Sequence, residues 1–353
     1  AETTIPVTVD KDTGTASVDA SSQGLDQGVT IITIPPVPDV DTYSIGIPVP
    51  DLSTSDVQGT LTVNTDAGSV TVPSNMLTGV SGISGSKAEI AISQGDKDNL
   101  PDIVKAAIGD KPLVQLSLSI DGKQVDWSNP NAPVTVRIPY TPTAAELANP
   151  ERIVVWYIDG SGNVVTIPNG HYDPATGMVT FTTTLFSDYA VVYNKASFND
   201  VTAGAWYARA VSFIAAREIT AGTGGGNFSP EARLTRGQFI VMLMKAYDIA
   251  PDANPRDNFS DAGGTYYTGY LAAAKRLSIS NGVGNNMFAP EKEITRQEMF
   301  TLLYNALKVI GQLPQDDSGK TLSDFTDVGQ IDSWAKEAMT LLVETGTIGG
   351  NAG

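Results

Sequence analysis

The sequence predicts a multidomain chain: an all-β, sandwich-like region over about the first 195 residues, then an all-α repeat region. Three observations predict this. Strand-length runs rich in Val, Ile and Thr follow one another to residue 195, parted by Gly, Asn, Asp and Pro. From residue 196 the texture changes to Ala-, Leu- and Met-rich segments with helical spacing. Within that second region one motif occurs twice: Leu234-Thr235-Arg236-Gly237-Gln238-Phe239 and, 60 residues on, Ile294-Thr295-Arg296-Gln297-Glu298-Met299.

Residues 1–55 hold a single basic side chain, Lys11. IPVTVD and TASVDAS flank Lys11-Asp12-Thr13-Gly14, a hairpin with a glycine-containing turn. GVTIITI then breaks into Ile34-Pro35-Pro36-Val37-Pro38, with Ile47-Pro48-Val49-Pro50 close behind. Proline at that density excludes central strands and predicts edge or polyproline-like segments. The stretch reads as an ordered β extension of the next domain, or as an arm that adds a strand to a neighbouring molecule.

Residues 56–195 give TLTVNT, SVTVPS, AEIAIS, LVQLSLSI, VTVRIPY, RIVVWYI, VVTIP, MVTFTTT and YAVVYN, each of strand length. Such spacing predicts one β-sandwich or two small ones. Asp159-Gly160-Ser161-Gly162 and Pro174-Ala175-Thr176-Gly177 are turn chemistry, and Leu100 to Ile108 is the one short helix expected. Asn194 to Ser197 is the linker.

Beyond it, units repeat over 196–252, 257–313 and, in part, 323–353. The first runs Phe198-Asn199-Asp200-Val201, Trp206, an apolar helix to Ile219, Gly222, Phe228-Ser229-Pro230 and the Thr-Arg turn. The second runs Phe259-Ser260-Asp261, Tyr266, a helix to Ile279, Gly282, Phe288-Ala289-Pro290 and its Thr-Arg turn. The third begins Phe325-Thr326-Asp327-Val328, Trp334, then Gly346 and Gly350, and has no Thr-Arg turn. Thr235 with Gln238, and Thr295 with Glu298, are capping boxes, so each Thr opens a helix. Arg236 and Arg296 then sit in first turns, where the helix dipole disfavours a cation. Two such arginines at equivalent places suggest an anion site made of helix-end amides and a guanidinium.

This pattern resembles the S-layer homology family, the triple repeats that fasten proteins to bacterial cell walls. The residues that carry the resemblance are the FxDV opening, the aromatic after it, the Ile-x-x-Gly turn, the FxP loop and the TRxE turn. The preceding β run resembles modules that accompany such repeats. The resemblance implies helix–loop–helix repeats around a pseudo-threefold axis, with grooves that hold secondary cell-wall polysaccharide bearing an anionic pyruvyl ketal. It assigns ligand contacts to Asp200, Trp206, Gly222, Arg236 and Gln238 in the first repeat. In the second it assigns Asp261, Tyr266, Gly282, Arg296 and Glu298, and in the cut third Asp327, Trp334 and Gly350. Gln238 departs from the family's Glu, and Tyr266 from its Trp. Trp206 and Trp334 also suit buried helix anchors, and the arginines suit salt bridges to an adjacent repeat's Asp.

Net charge is −17 over 353 residues, which repels nucleic acid and anionic membranes. Cysteine is absent, so disulfides and thiolate chemistry are excluded. No apolar run reaches the roughly 18 residues of a membrane span. Ala1-Glu2 reads as a mature terminus left by signal cleavage or as an expression boundary. The only histidine, His171, lies in a turn signal with no Gly-x-Ser-x-Gly elbow, and one His without Cys does not make a zinc site. No carboxylate pair stands out for glycoside hydrolysis. Asp10/Asp12, Asp39/Asp41 and Asp96/Asp98 have alternate carboxylates of the kind calcium loops use, so calcium is the one ion admitted; none extends into a full calcium loop, and solvated turn acids are the better account. The expectation is a secreted, non-enzymatic protein of the cell surface, wall or S-layer, needing no cofactor and held non-covalently to wall polysaccharide. The alternative is a self-assembling lattice or filament subunit whose β region makes the contacts, the third repeat being vestigial or completed in trans.

Overall fold

A computed structural model describes residues 5–23, 25 and 28–350; Ala1 and Glu2 lie outside the described residues. Contacts divide the chain into two compact units, Ala1–Glu218 and Ile219–Gly353.

The first unit begins with strands β1 (Val7–Asp10), β2 (Thr15–Asp19), β3 (Gly28–Thr33), β4 (Thr42–Pro48), β5 (Gly59–Asn64), β6 (Ser69–Pro73) and β7 (Lys87–Gln94). Helix α1 (Asp102–Ile108) and strands β8 (Leu113–Ile120), β9 (Lys123–Val125) and β10 (Val134–Pro139) come next, then helix α2 (Ala144–Ala148). Strands β11 (Ile153–Ile158), β12 (Val164–Ile167), β13 (His171–Asp173), β14 (Met178–Thr183) and β15 (Asp188–Tyr193) precede helix α3 (Ala208–Ala216). One sheet runs β1-β2-β4-β7-β8-β15-β11-β12, with β9 on β8; the other runs β13-β14-β10-β6-β5-β3. Pairs are antiparallel except β2 with β4 and β3 with β5. Alternate residues of both sheets, among them Tyr43, Ile45, Leu61, Val72, Val136, Phe181 and Tyr189, fill one shared core. That two-residue period is why the strands read so clearly in sequence.

The division into an all-β region followed by an all-α region does not hold; the chain is mixed. The reason lies in β11 and β15, whose residues are apolar on both faces. Ile153, Val155, Tyr189 and Val191 enter the core between the sheets, while Val154, Ile158, Ala190 and Val192 face the other way. An apolar second face requires a cover. Val104 and Ile108 of α1 and Ala216 of α3 supply it. Arg217, 3% exposed, fastens α3 there. Its guanidinium donates to the carbonyls of Glu151 (2.7 Å) and Gly170 (2.6 Å) and lies 3.5 Å over the Phe213 ring. Burial pulls its pKa down to about 10.

A second expectation also fails. The proline-broken segment contributes β4, a central strand between β2 and β7. Proline lacks an N–H for the ladder, but Pro35, Pro36 and Pro38 lie in the connection before β4 and Pro48 ends it.

The second unit holds α4 (Arg236–Ala246), α5 (Thr268–Arg276), α6 (Arg296–Val309) and α7 (Lys336–Glu344). Ile240, Met244, Leu271, Ile279, Phe288 and Leu302 form one core, and Tyr304, Leu307, Leu342 and Val343 another. Much of the unit is not helix: turns with isolated β-bridges, Gly224 with Asn227, Gly284 with Met287 and Thr235 with Glu293, join the helices. Among the described residues no helix is long and apolar enough to cross a membrane.

Candidate functional site: two arginine turns

Thr235 and Thr295 open α4 and α6 as complete capping boxes. At α4, Gln238 N donates to Thr235 Oγ1 (3.2 Å) and Thr235 N to Gln238 Oε1 (3.0 Å). At α6, Thr295 N donates to Glu298 Oε2 at 2.8 Å. The two arginines next in sequence have different surroundings.

Arg236 is 4% exposed. Its Nε donates to the Phe288 carbonyl (2.8 Å), its Nη1 pairs with Glu298 Oε1 (3.0 Å), and its guanidinium lies 4.6 Å from the Phe288 ring centre. Burial lowers its pKa, against the charges of Glu298 and Asp261. The amides of α4's first turn are engaged as well: Arg236 N donates to Lys292 O (2.9 Å) and Gly237 N to Pro290 O (2.8 Å). The Phe288-Ala289-Pro290 loop is shaped for this by Asp261, whose carboxylate accepts the Phe288 and Ala289 amides at 2.8 and 2.7 Å. Gly282 (φ +77°) packs so closely on the Met287 carbonyl that no side chain fits. Asp261, Gly282, Arg236 and Glu298 thus form one internally satisfied cluster.

Arg296 is exposed. Its Nη2 donates to Gly349 O (3.2 Å), and its guanidinium lies 5.4 Å from the Phe300 ring centre. It lines an open cleft of about 730 Å³ with Phe325, Asp327, Gln330, Ile348 and Gly350. Gln297 fixes the approach to this cleft, donating to Asp332 Oδ2 (2.7 Å) and accepting the Asp332 amide (3.0 Å). A side chain at Gly350 would strike the Phe325 ring. The cleft therefore joins one cation, the two carboxylates of Asp324 and Asp327, the amide side chains of Gln297 and Gln330, and apolar walls, the usual makings of a polar-ligand site.

The predicted aromatics are exposed rather than buried anchors: Trp206 by 93%, Tyr266 by 62% and Trp334 by 52%. Trp206 meets Tyr207 edge-on at 5.6 Å, and Tyr266 meets Tyr267 at 5.1 Å. Tyr267 is the ring that is buried, its hydroxyl donating to Glu291 (2.7 Å). Asp200 and Trp206 belong to the first unit, Gly222 to the second; Trp334 does not line the cleft. Sequence reasoning missed the reach of Glu298 back to Arg236 and the cover provided by Phe288. The repeat spacing was a signal for the second, since an FxP loop comes after each turn glycine. Asp10 and Asp96 use their carboxylates on the nearby Asp12 and Asp98 amides, and among the described residues no three His, Cys, Asp or Glu gather as for a metal.

Two segments, residues 197–240 and 258–300, match the S-layer homology domain, and they fall on the two Thr-Arg repeats. The S-layer protein of Bacillus thuringiensis subsp. finitimus is 29% identical over 150 residues, 42% of this chain and 18% of its own length. S-layer protein EA1 of Bacillus anthracis is 26% identical over 157 residues, 44% of this chain and 18% of its own. An amylopullulanase of Thermoanaerobacterium thermosulfurigenes is 26% identical over 262 residues, 74% of this chain and 13% of its own, a match too long for the repeats alone. The chain spans less than a fifth of the length of these relatives. Over residues 197–240 and 258–300 the chain carries S-layer homology repeats.

Proposed function

We propose that the chain is held non-covalently at the bacterial cell surface, through its S-layer homology repeats, by secondary cell-wall polysaccharide, and that it acts without catalysis. The observation that carries this is the open cleft in which Arg296, Asp327 and Gln330 converge. Arg296 pairs with an anionic substituent of the polymer, a pyruvyl ketal or a phosphate, and Asp327 accepts sugar hydroxyls. The exposed rings of Trp206, Tyr266 and Trp334 offer faces on which sugars stack. Asp200 and Gly222 are further contact positions of the first repeat, whereas Arg236, Asp261 and Gln238 serve by shaping the unit.

Co-sedimentation with purified wall sacculi, before and after acid extraction of the secondary polymer, tests this. Binding to intact walls that vanishes on extraction is expected. Arg296→Ala should weaken it by tenfold or more, about 1.5–3 kcal/mol for a hydrogen bond to a charged group. Wild-type affinity in that variant would sink the cleft assignment, and binding that survives extraction would sink the polysaccharide. Catalysis is tested on soluble glucans, the relatives' names including an amylopullulanase; release of reducing sugar would overturn the non-enzymatic reading.

A further inference from the structure

We infer that the outer edge of β3 is a self-association surface, which pairs antiparallel with β3 of a second copy of this chain. Among the described residues β3 ends its sheet, with β5 its one neighbouring strand. Gly28 donates its N–H to Gln58 (3.3 Å) and Ile34 to Asn64 (2.9 Å). Backbone groups alternate along a strand, so even-numbered residues serve β5, and the N–H and C=O of Val29 and Ile31 point to the open edge. Their side chains are exposed by 67% and 41%.

Natural sheets guard their edges with charge, proline, bulges or brevity. The other terminal strands obey. β1 has four residues and ends on Asp10, before Lys11; β12 has four; β13 has three, with His171 and Asp173. β3 has six residues, Gly-Val-Thr-Ile-Ile-Thr, with neither charge nor proline.

The occupant is set by charge and register. Residues 1–218 carry 11 basic and 24 acidic side chains, so two copies repel over most of this unit, and a contact between them needs an uncharged strip. β3 is such a strip, and it is self-complementary. A two-fold axis at Thr30 sets Val29 opposite Ile31 of the second copy, and the reverse. Both pairs are of the hydrogen-bonded kind, each exchanging two N–H···O=C bonds. Each exposed β-branched side chain then meets another. The symmetry closes at two copies. An edge this short buries less than the ~1,200 Å² of a standard interface, so the dimer is weak and concentration-dependent.

Sedimentation velocity of the full chain, from micromolar to submillimolar, should show a dimer forming as concentration rises. Val29→Lys/Ile31→Lys, at exposed positions, should weaken it at least tenfold, and Val9→Lys on the β1 edge should leave it unchanged. The chain has no cysteine, so Thr30→Cys introduces a single thiol. The two-fold brings position 30 to its copy at about 4.5 Å between Cα atoms, within disulfide range, and mild oxidation should yield a covalent dimer. A chain monomeric throughout, or a dimer indifferent to the two lysines, overturns the inference. A dimer in which Thr30→Cys fails to cross-link overturns the register.

Discussion

Two arginines in the same motif, 60 residues apart, do different work because of what later packs on them. Arg236 holds the Phe288 carbonyl and Glu298 under a loop that Asp261 shapes, whereas Arg296 faces an open cleft. The same logic explains Gln238. Glu298 has two tasks, capping α6 and pairing with the arginine one repeat back; no Thr-Arg pair precedes Thr235, so Gln238 has only the capping task, which needs no charge. The arginines should therefore separate by experiment. Arg236→Ala takes the 3.0 Å guanidinium partner from the half-buried Glu298, leaving Lys292 at 3.8 Å, and leaves the Phe288 carbonyl without its donor, a loss on the order of 2 kcal/mol. Calorimetry should register it as a lower melting temperature. Arg296→Ala, at an exposed position, should change stability by less than about 0.5 kcal/mol. An unchanged melting temperature in Arg236→Ala would refute its structural role.

At the scale of elements, the joint between sheet and helix is the decisive feature. α3 lies in the first S-layer homology match, yet packs on β11 and β15 through Ala216 and Arg217. Arg217→Met would keep the stem and remove the donors to Glu151, Gly170 and Ile153, at a cost of about 2–4 kcal/mol. Hydrogen exchange should then accelerate across Ala208–Ala216; protection equal to wild type would mean that apolar contact alone holds α3. Strands were legible because burial alternates along them, and both helix starts because Thr with Gln or Glu three residues on is a local rule. RIVVWYI and YAVVY are apolar at odd and even positions alike, which signals two covered faces, but not that a helix of the first repeat covers one. β4 was obscured because proline density was averaged over a segment whose ordered part, Thr42 to Ile47, contains none. For the site, Arg236 and Arg296 look identical locally; their difference is set by a loop 52 residues downstream of Arg236, beyond any local pattern.

The whole molecule carries its charge unevenly. Of the net −17, residues 1–218 contribute −13 and residues 219–353, with 11 basic and 15 acidic side chains, only −4. An anionic wall polymer therefore repels the strand-rich unit most and the unit with the Arg296 cleft least. On the proposed function, two electrostatic effects compete during wall binding, and their ranges decide the outcome. Repulsion by −17 acts over distance and fades as the screening length falls from ~30 Å at 0.01 M salt to ~8 Å at 0.15 M. A contact between Arg296 and an anionic substituent acts at hydrogen-bond distance, well inside either length. Raising salt over this interval should accelerate association, because approach is governed by the long-range term. Dissociation should quicken only modestly, because the exposed contact is only partly screened. Surface plasmon resonance on immobilised secondary polymer measures both rates. Association that slows as salt rises would mean that attraction governs the approach, and that a basic surface larger than the Arg296 cleft meets the wall. In the Arg296→Ala variant the salt response of association should persist while dissociation becomes faster at every salt concentration.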